Sequence, residues 1–327
     1  MRIMRLHTLS ITQPLHWIAV VFVAVALLGY QTFLYFASHP SVTIRRGALT
    51  QDETWSGVVR VESPIQIPKT ITLTIQPGTM ITFVPTSGLE IHGKLVAVGT
   101  PDEQIQFTSD ATAPQDGDWS GISLIGTSNS EIQYSIVEFG QSGIRLQESN
   151  ARIGHSILRW NRGDGLFATS SSTPTIEYNR IYQNGGNGIN IEGSDRAMAR
   201  YNYIENSGEH GLRNSHSTTT VELNIFRRNQ GSGIFLESES AVTARGNTLA
   251  ENRKNQILCG GGQNHLTATT NAVVGVQPRV NCPKDAVVKN TYGKGITGIG
   301  FDYPNVKRFD FGKTPGVETH PPASTTR

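Results

Sequence analysis

The chain has 327 residues, a formal net charge of +2 and 17% charged residues. This near-neutral balance gives no electrostatic case for nucleic acid or another strongly acidic partner, which needs a concentrated basic surface. Glycine is enriched, at 34 residues, and charge falls below the usual share of about 25%, a composition that suits a turn-rich chain.

The first distinctive element is Leu15 to Ala37, almost wholly apolar, with no Asp, Glu, Lys or Arg between Arg5 and Arg45. As a helix it is long enough to span the ~30 Å of a bilayer's hydrocarbon core. A cleaved signal peptide is the competing reading, with Arg2 and Arg5 as its basic start. The run is long for that purpose, and Phe36-Ala37-Ser38 is a poor cleavage site, so an uncleaved signal anchor is expected. Basic residues leave its orientation ambiguous, because Arg2 and Arg5 on one side face Arg45 and Arg46 on the other.

From Trp55 to Thr108 short strands are expected. Ile71 to Ile75, Met80 to Phe83, Leu89 to Ile91, Lys94 to Val98 and Gln104 to Thr108 alternate apolar and polar residues, and Pro77-Gly78 marks a turn. The loop from Asp110 to Asp118 is the longest interruption and is expected to form a lip over one face.

A repeat then takes over. Gly121-Ile122, Gly143-Ile144, Gly165-Leu166, Gly188-Ile189, Gly211-Leu212, Gly233-Ile234 and Gln256-Ile257 follow one another at spacings of 22 or 23 residues. A second column holds Ser135, Ser156, Asn179, Asn202, Asn224 and Asn247, and a third holds Gly140, Asn161, Asn184, Ser207, Asn229 and Asn252. A fixed period in this range signals a solenoid. Leucine-rich repeats need more leucine and often a helical return, whereas these copies alternate Ile, Val and Tyr with polar residues, so strands are expected. Coils pairing in parallel about 4.8 Å apart would stack equivalent residues. Ile132, Ile153, Ile176, Ala199, Val221 and Ala244 then form an inward aliphatic ladder, and Tyr134, His155, Tyr178, Tyr201 and Leu223 an inward, mostly aromatic one. The asparagines are placed at bends, where an amide can bond the coils on either side.

These phrases resemble the right-handed parallel β-helix family, the repeat type Asn-x-Ile…Asn-x-x-Gly-x-Gly-Ile of pectin-active enzymes and many envelope proteins. The resemblance covers Val58 to Cys282. It implies an all-β solenoid of about ten coils, whose activity the fold does not decide, because lyases, hydrolases, epimerases, adhesins and scaffolds share it. Residues 55–119 look like the opening coils of envelope-anchored members, with Trp55-Ser56-Gly57-Val58 echoing Trp119-Ser120-Gly121-Ile122 about three coils earlier.

Cys259 and Cys282 stand one period apart. They are expected to stack on adjacent coils and form a disulfide, the alternative being two buried free thiols in a reducing compartment. A disulfide favours a coil outside the cytoplasm, facing the periplasm or cell exterior. The expected organisation is a cytoplasmic start (1–14), a transmembrane anchor (15–37), a linker and cap (38–54), the β-helix (55–283), a C-terminal cap (284–313) and a disordered Pro/Thr/Ser-rich tail (314–327).

Two outward columns, Gln133 to Arg245 through Glu177, Arg200 and Glu222, and Glu138 through Arg159, Tyr182 and Glu205 to Arg227, alternate in charge and read as structural pairing. The best site candidate is the column before the Gly-Ile step: Ser120, Ser142, Asp164, Asn187, His210, Ser232 and Asn255. Asp164 and His210 are the catalytic candidates, with Asn187, Arg162, Glu209 and Arg213 as ligand-binding neighbours; the competing reading is a column of good bend formers. The chemistries that the resemblance brings were matched residue by residue. Three carboxylates in register for a lyase-type calcium site are absent from the sequence pattern, as are an Asp-Asp pair and Asp-Pro; only Gly208-Glu209-His210-Gly211 resembles part of a hydrolase motif. No metal or cofactor is expected. Two readings follow: a membrane-anchored module binding a polysaccharide or an envelope protein without catalysis, or a polysaccharide lyase or glycoside hydrolase with its site at Asp164, Asn187, His210 and Arg213.

Overall fold

A computed structural model describes residues 41–274, 280–282 and 287–293. The described residues from Thr43 onward belong to one compact unit. The expected anchor at 15–37, the start at 1–14 and the tail at 314–327 lie outside the described residues. No helix among the described residues is long and apolar enough to cross a membrane.

The described chain is all-β, a right-handed parallel solenoid of about ten coils. Each coil contributes one strand to each of three faces. The first face carries the strands that follow the Gly-Ile step, from Ile122–Ile125 and Ile144–Gln147 to Ile234–Glu237 and Ile257–Cys259. The second runs from Glu53–Trp55 through Thr72–Ile75 to Ala241–Arg245. The third includes Met80–Phe83, Ile157–Arg159 and Thr248–Ala250. Pairing is parallel with equivalent residues in register, as Leu166↔Ile189 and Ile189↔Leu212 show. Alternation within each strand therefore becomes a column between strands.

The inward columns make the core. Ile122, Ile144, Leu166, Ile189, Leu212, Ile234 and Ile257 stack from the first face, and Ile132, Ile153, Ile176, Ala199, Val221 and Ala244 from the second, all essentially fully buried. The aromatic column is different. Tyr134, His155, Tyr178 and Tyr201 are half-buried and sit at the bend between the second and third faces with φ of 48°, 51°, 56° and 55°. Their left-handed backbone swings the rings outward instead of into the core, so the expected inward ladder is an outward one. The two Trp phrases also fall on different corners: Trp55 pairs with Ile75 on the second face, whereas Gly121 leads into the first.

Both asparagine columns are buried ladders. Asn179 Nδ2 donates to Ile153 O and to Asn202 Oδ1, while Asn179 Oδ1 accepts the Ser156 backbone N–H. Each amide thus ties the coil before it to the coil after, at corners where the strand ladder is interrupted. The ladder runs on through Asn271 to Asn290 at a spacing of 19 residues. That shorter last coil explains why the periodicity fades after Lys284 while strand Val287–Gly293 still pairs in parallel. A third corner, between the first and second faces, carries a serine ladder that the repeat reading missed: Thr127 N–H bonds Ser149 Oγ, Ser149 N–H bonds Ser172 Oγ, and Ser194 N–H bonds Ser217 Oγ. Near the end of the solenoid Cys259 and Cys282 are disulfide-bonded across adjacent coils, Cα to Cα 4.7 Å.

Candidate functional site

The column before the Gly-Ile step lies at the corner where the third face turns into the first. Close coil-to-coil approach requires the glycines there; a Cβ on Gly143 would lie 2.4 Å from Gly165 O. With the glycines flat, the preceding side chains meet the next coil directly. The Asn187 backbone N–H reaches Asp164 Oδ1 at 2.6 Å, the His210 N–H reaches Asn187 Oδ1 at 3.1 Å, and the Ser232 N–H reaches His210 Nδ1 at 2.9 Å. One rule covers all three: each side chain accepts the backbone N–H one coil further on.

Around this spine the structure brings most of the expected site together. Asn187 Nδ2 donates to Asp164 Oδ1 (2.9 Å) and Glu209 Oε2 (3.0 Å), and Asn190 Nδ2 donates to Asp164 Oδ2 (2.9 Å). Arg213 Nη1 donates to Asn190 Oδ1 and Glu192 Oε2, and its Nη2 pairs with Glu237. Arg162 is apart from this network. It is exposed and packs at the Asp110 to Asp118 loop, where a Cβ on Gly117 would lie 3.0 Å from its Cδ. The loop borders the N-terminal end of the column, since Gln141 Nε2 donates to Gly117 O at 2.7 Å.

The electrostatics do not favour acid–base work. Burial lowers the His210 pKa to about 4, with Lys254 and Arg213 adding to the effect and Glu237 opposing it. The imidazole is therefore neutral at pH 7, and its Nδ1 is engaged by Ser232. The Asp164 carboxylate holds three donors from Asn187 and Asn190. Both groups are therefore engaged in hydrogen bonds between coils. Among the described residues no three His, Cys, Asp or Glu gather as a metal site.

Beside the column, the outward positions of the first face form a row that sequence reasoning caught only at Arg213. Register stacks Ser123, Arg145, Phe167, Asn190, Arg213 and Phe235. Arg145 lies over the Phe167 ring at 5.1 Å, and His210 stacks on Phe235 with ring centroids 4.4 Å apart. The signal for this row was present: each member stands two residues after a repeat glycine, on the outward phase of the strand. The Glu138 to Arg227 column of the third face is structural, as expected. Glu138 Oε2 accepts from Arg159 Nε at 2.8 Å, and Arg159 Nη1 donates to Tyr182 Oη at 2.8 Å.

Comparison with known proteins agrees with this architecture. A family model described as right handed beta helix region matches residues 120–273. The A-module of Azotobacter vinelandii mannuronan C-5 epimerase AlgE4 is 17% identical with a TM-score of 0.50, covering 73% of this chain and 70% of that one. A double mutant of the periplasmic alginate epimerase AlgG is 11% identical with a TM-score of 0.51, covering 77% and 76%. At these identities the likeness is one of fold. Protein bark beetle of Drosophila melanogaster is 46% identical over 56 residues, 15% of this chain and only 2% of that protein's length.

Proposed function

We propose that this chain, a right-handed parallel β-helix, is a membrane-anchored extracytoplasmic module that binds polysaccharide along its first face without catalysing a reaction. The observation that supports this reading best is the engagement of Asp164 and His210 by backbone N–H groups of the following coils, which makes them parts of the scaffold. The row beside them offers what a sugar chain needs: ring surface at Phe167 and Phe235, planar donors at Arg145 and Arg213, and a carboxylate acceptor at Glu192. Two solved neighbours named for alginate and mannuronan share the fold, which makes a polysaccharide the ligand class to test first. The Cys259–Cys282 disulfide supports an oxidising, extracytoplasmic setting. The apolar run at 15–37 supports the anchor.

The test is a glycan array read beside a reducing-end release assay, using the full chain and three variants: Phe167→Ala, Arg145→Ala and the double Asp164→Asn/His210→Asn. Binding that falls about tenfold or more in the first two, with no product released, is the expected result. Release of product by the wild type that disappears in the double variant overturns the non-catalytic reading and installs a lyase or hydrolase in its place.

A further inference from the structure

Four aromatic rings form a continuous stack on the corner between the second and third faces, away from the first-face row. Tyr134 and His155 have centroids 4.6 Å apart and planes within 8°; His155 and Tyr178 are at 4.9 Å and 2°; Tyr178 and Tyr201 are at 4.7 Å and 5°. The fold does not require rings here. The same left-handed bend is taken by Leu223 and Gly246 after the stack. Four consecutive rungs therefore carry rings by sequence rather than by any demand of the chain reversal.

The surroundings narrow the ligand. Backbone groups at this corner are already paired: the N–H groups of Tyr134, His155, Tyr178 and Tyr201 donate to Gly154, Glu177, Arg200 and Glu222 of the next coils. An extended peptide would therefore find no strand edge to join. The strip is one ring wide and three strand spacings long, far short of the ~1,000 Å² that a stable protein partner needs. Its rim is charged but ion-paired, because Glu177 is held between Arg152 Nη2 at 2.6 Å and Arg200 Nη2 at 2.7 Å. Burial keeps the His155 imidazole below its ordinary pKa and the Tyr178 phenol above its own, so these two central rings carry no charge at neutral pH. A narrow strip of ring edges with a hydrogen-bonding rim matches a linear neutral sugar chain: its C–H groups pack along the ring edges and its hydroxyls reach the phenols, Arg152 and Arg200.

We propose that the Tyr134–His155–Tyr178–Tyr201 ladder is a second glycan-binding surface, selective for neutral chains and independent of the first-face row. Native affinity gels containing hydroxyethylcellulose, galactomannan or polygalacturonate test it with the full chain. Tyr134→Leu and Tyr178→Leu are the informative variants, because Leu223 already occupies a rung of this column and shows that the bend accepts leucine. The expected result is retardation of the wild type in at least one neutral gel, weakened about tenfold in both variants. Thermal unfolding within a few degrees of wild type excludes a folding defect. No retardation in either neutral gel overturns the proposal, as does retardation that the leucine variants leave intact. Loss only in Phe167→Ala would assign neutral-glycan binding to the first face instead, and retardation confined to polygalacturonate would show that the ladder does not select neutral chains.

Discussion

The backbone N–H of Ser232 donates to Nδ1 of His210 across one coil, at 2.9 Å. A histidine thus does the work that Asn187 does one rung earlier and Asp164 does two rungs earlier. It can do so only while neutral.

Stability should accordingly fall with acid in a way that tracks this residue. The native pKa of about 4 lies below the ordinary value of 6.5. The unfolded chain therefore binds the proton first, and the contribution is complete above pH 6.5 and lost as pH falls toward 4. His210→Asn keeps the acceptor and does not titrate. Melting temperatures across this window should drop more steeply for the wild type than for the variant, by a difference on the order of 1–2 kcal/mol at pH 4 after allowance for solvent access. Parallel curves would show that the histidine is not neutral by virtue of this bond.

One ladder contains a break that can be repaired. Ser207 stands where neighbouring coils place Asn184 and Asn229, and its buried Oγ has no partner. Ser207→Asn restores an amide at that rung and is expected to stabilise by about 1 kcal/mol, read as an increase in the denaturant midpoint. A destabilised variant would mean that the surrounding coils have closed over the shorter side chain.

The intact ladder should respond in the opposite direction. Asn202 Nδ2 bonds Ile176 O and Asn224 Oδ1, and its own Oδ1 accepts the Asn179 N–H. Asn202→Ala leaves these groups unpaired in a buried corner, at an expected loss of about 3 kcal/mol by chemical denaturation. A loss below about 1 kcal/mol would locate the solenoid's cohesion in the aliphatic columns alone.

Reduction of Cys259–Cys282 should act locally. The bond closes a loop of one coil, with a sequence separation of 23, and cross-links of that length are worth about 3 kcal/mol. Because coils in a repeat array contact mainly their neighbours, the last coil should loosen first. Limited proteolysis after reduction is expected to cut near Gly260 to Gln263 while the coils before Leu236 resist. Uniform digestion would show that the staple holds the whole array.

The sequence by itself determined the solenoid, its period, the buried columns and the disulfide. In a parallel repeat a single spacing fixes which residues stack, so position in the chain becomes position in the wall. Gly143, Asn179 and Ile189 were legible for that reason. Only the tertiary structure decided which way the corner residues face and what they touch. Tyr178 reads as a core aromatic by its column, yet a φ of 56° at the bend turns it outward. Asp164 and His210 read as an acid–base pair by residue type, yet each meets the backbone N–H of the following coil, a contact set by how closely glycine lets the coils approach. Periodicity specifies the partners of a strand residue, whereas a corner residue's partners depend on backbone dihedrals that spacing does not encode.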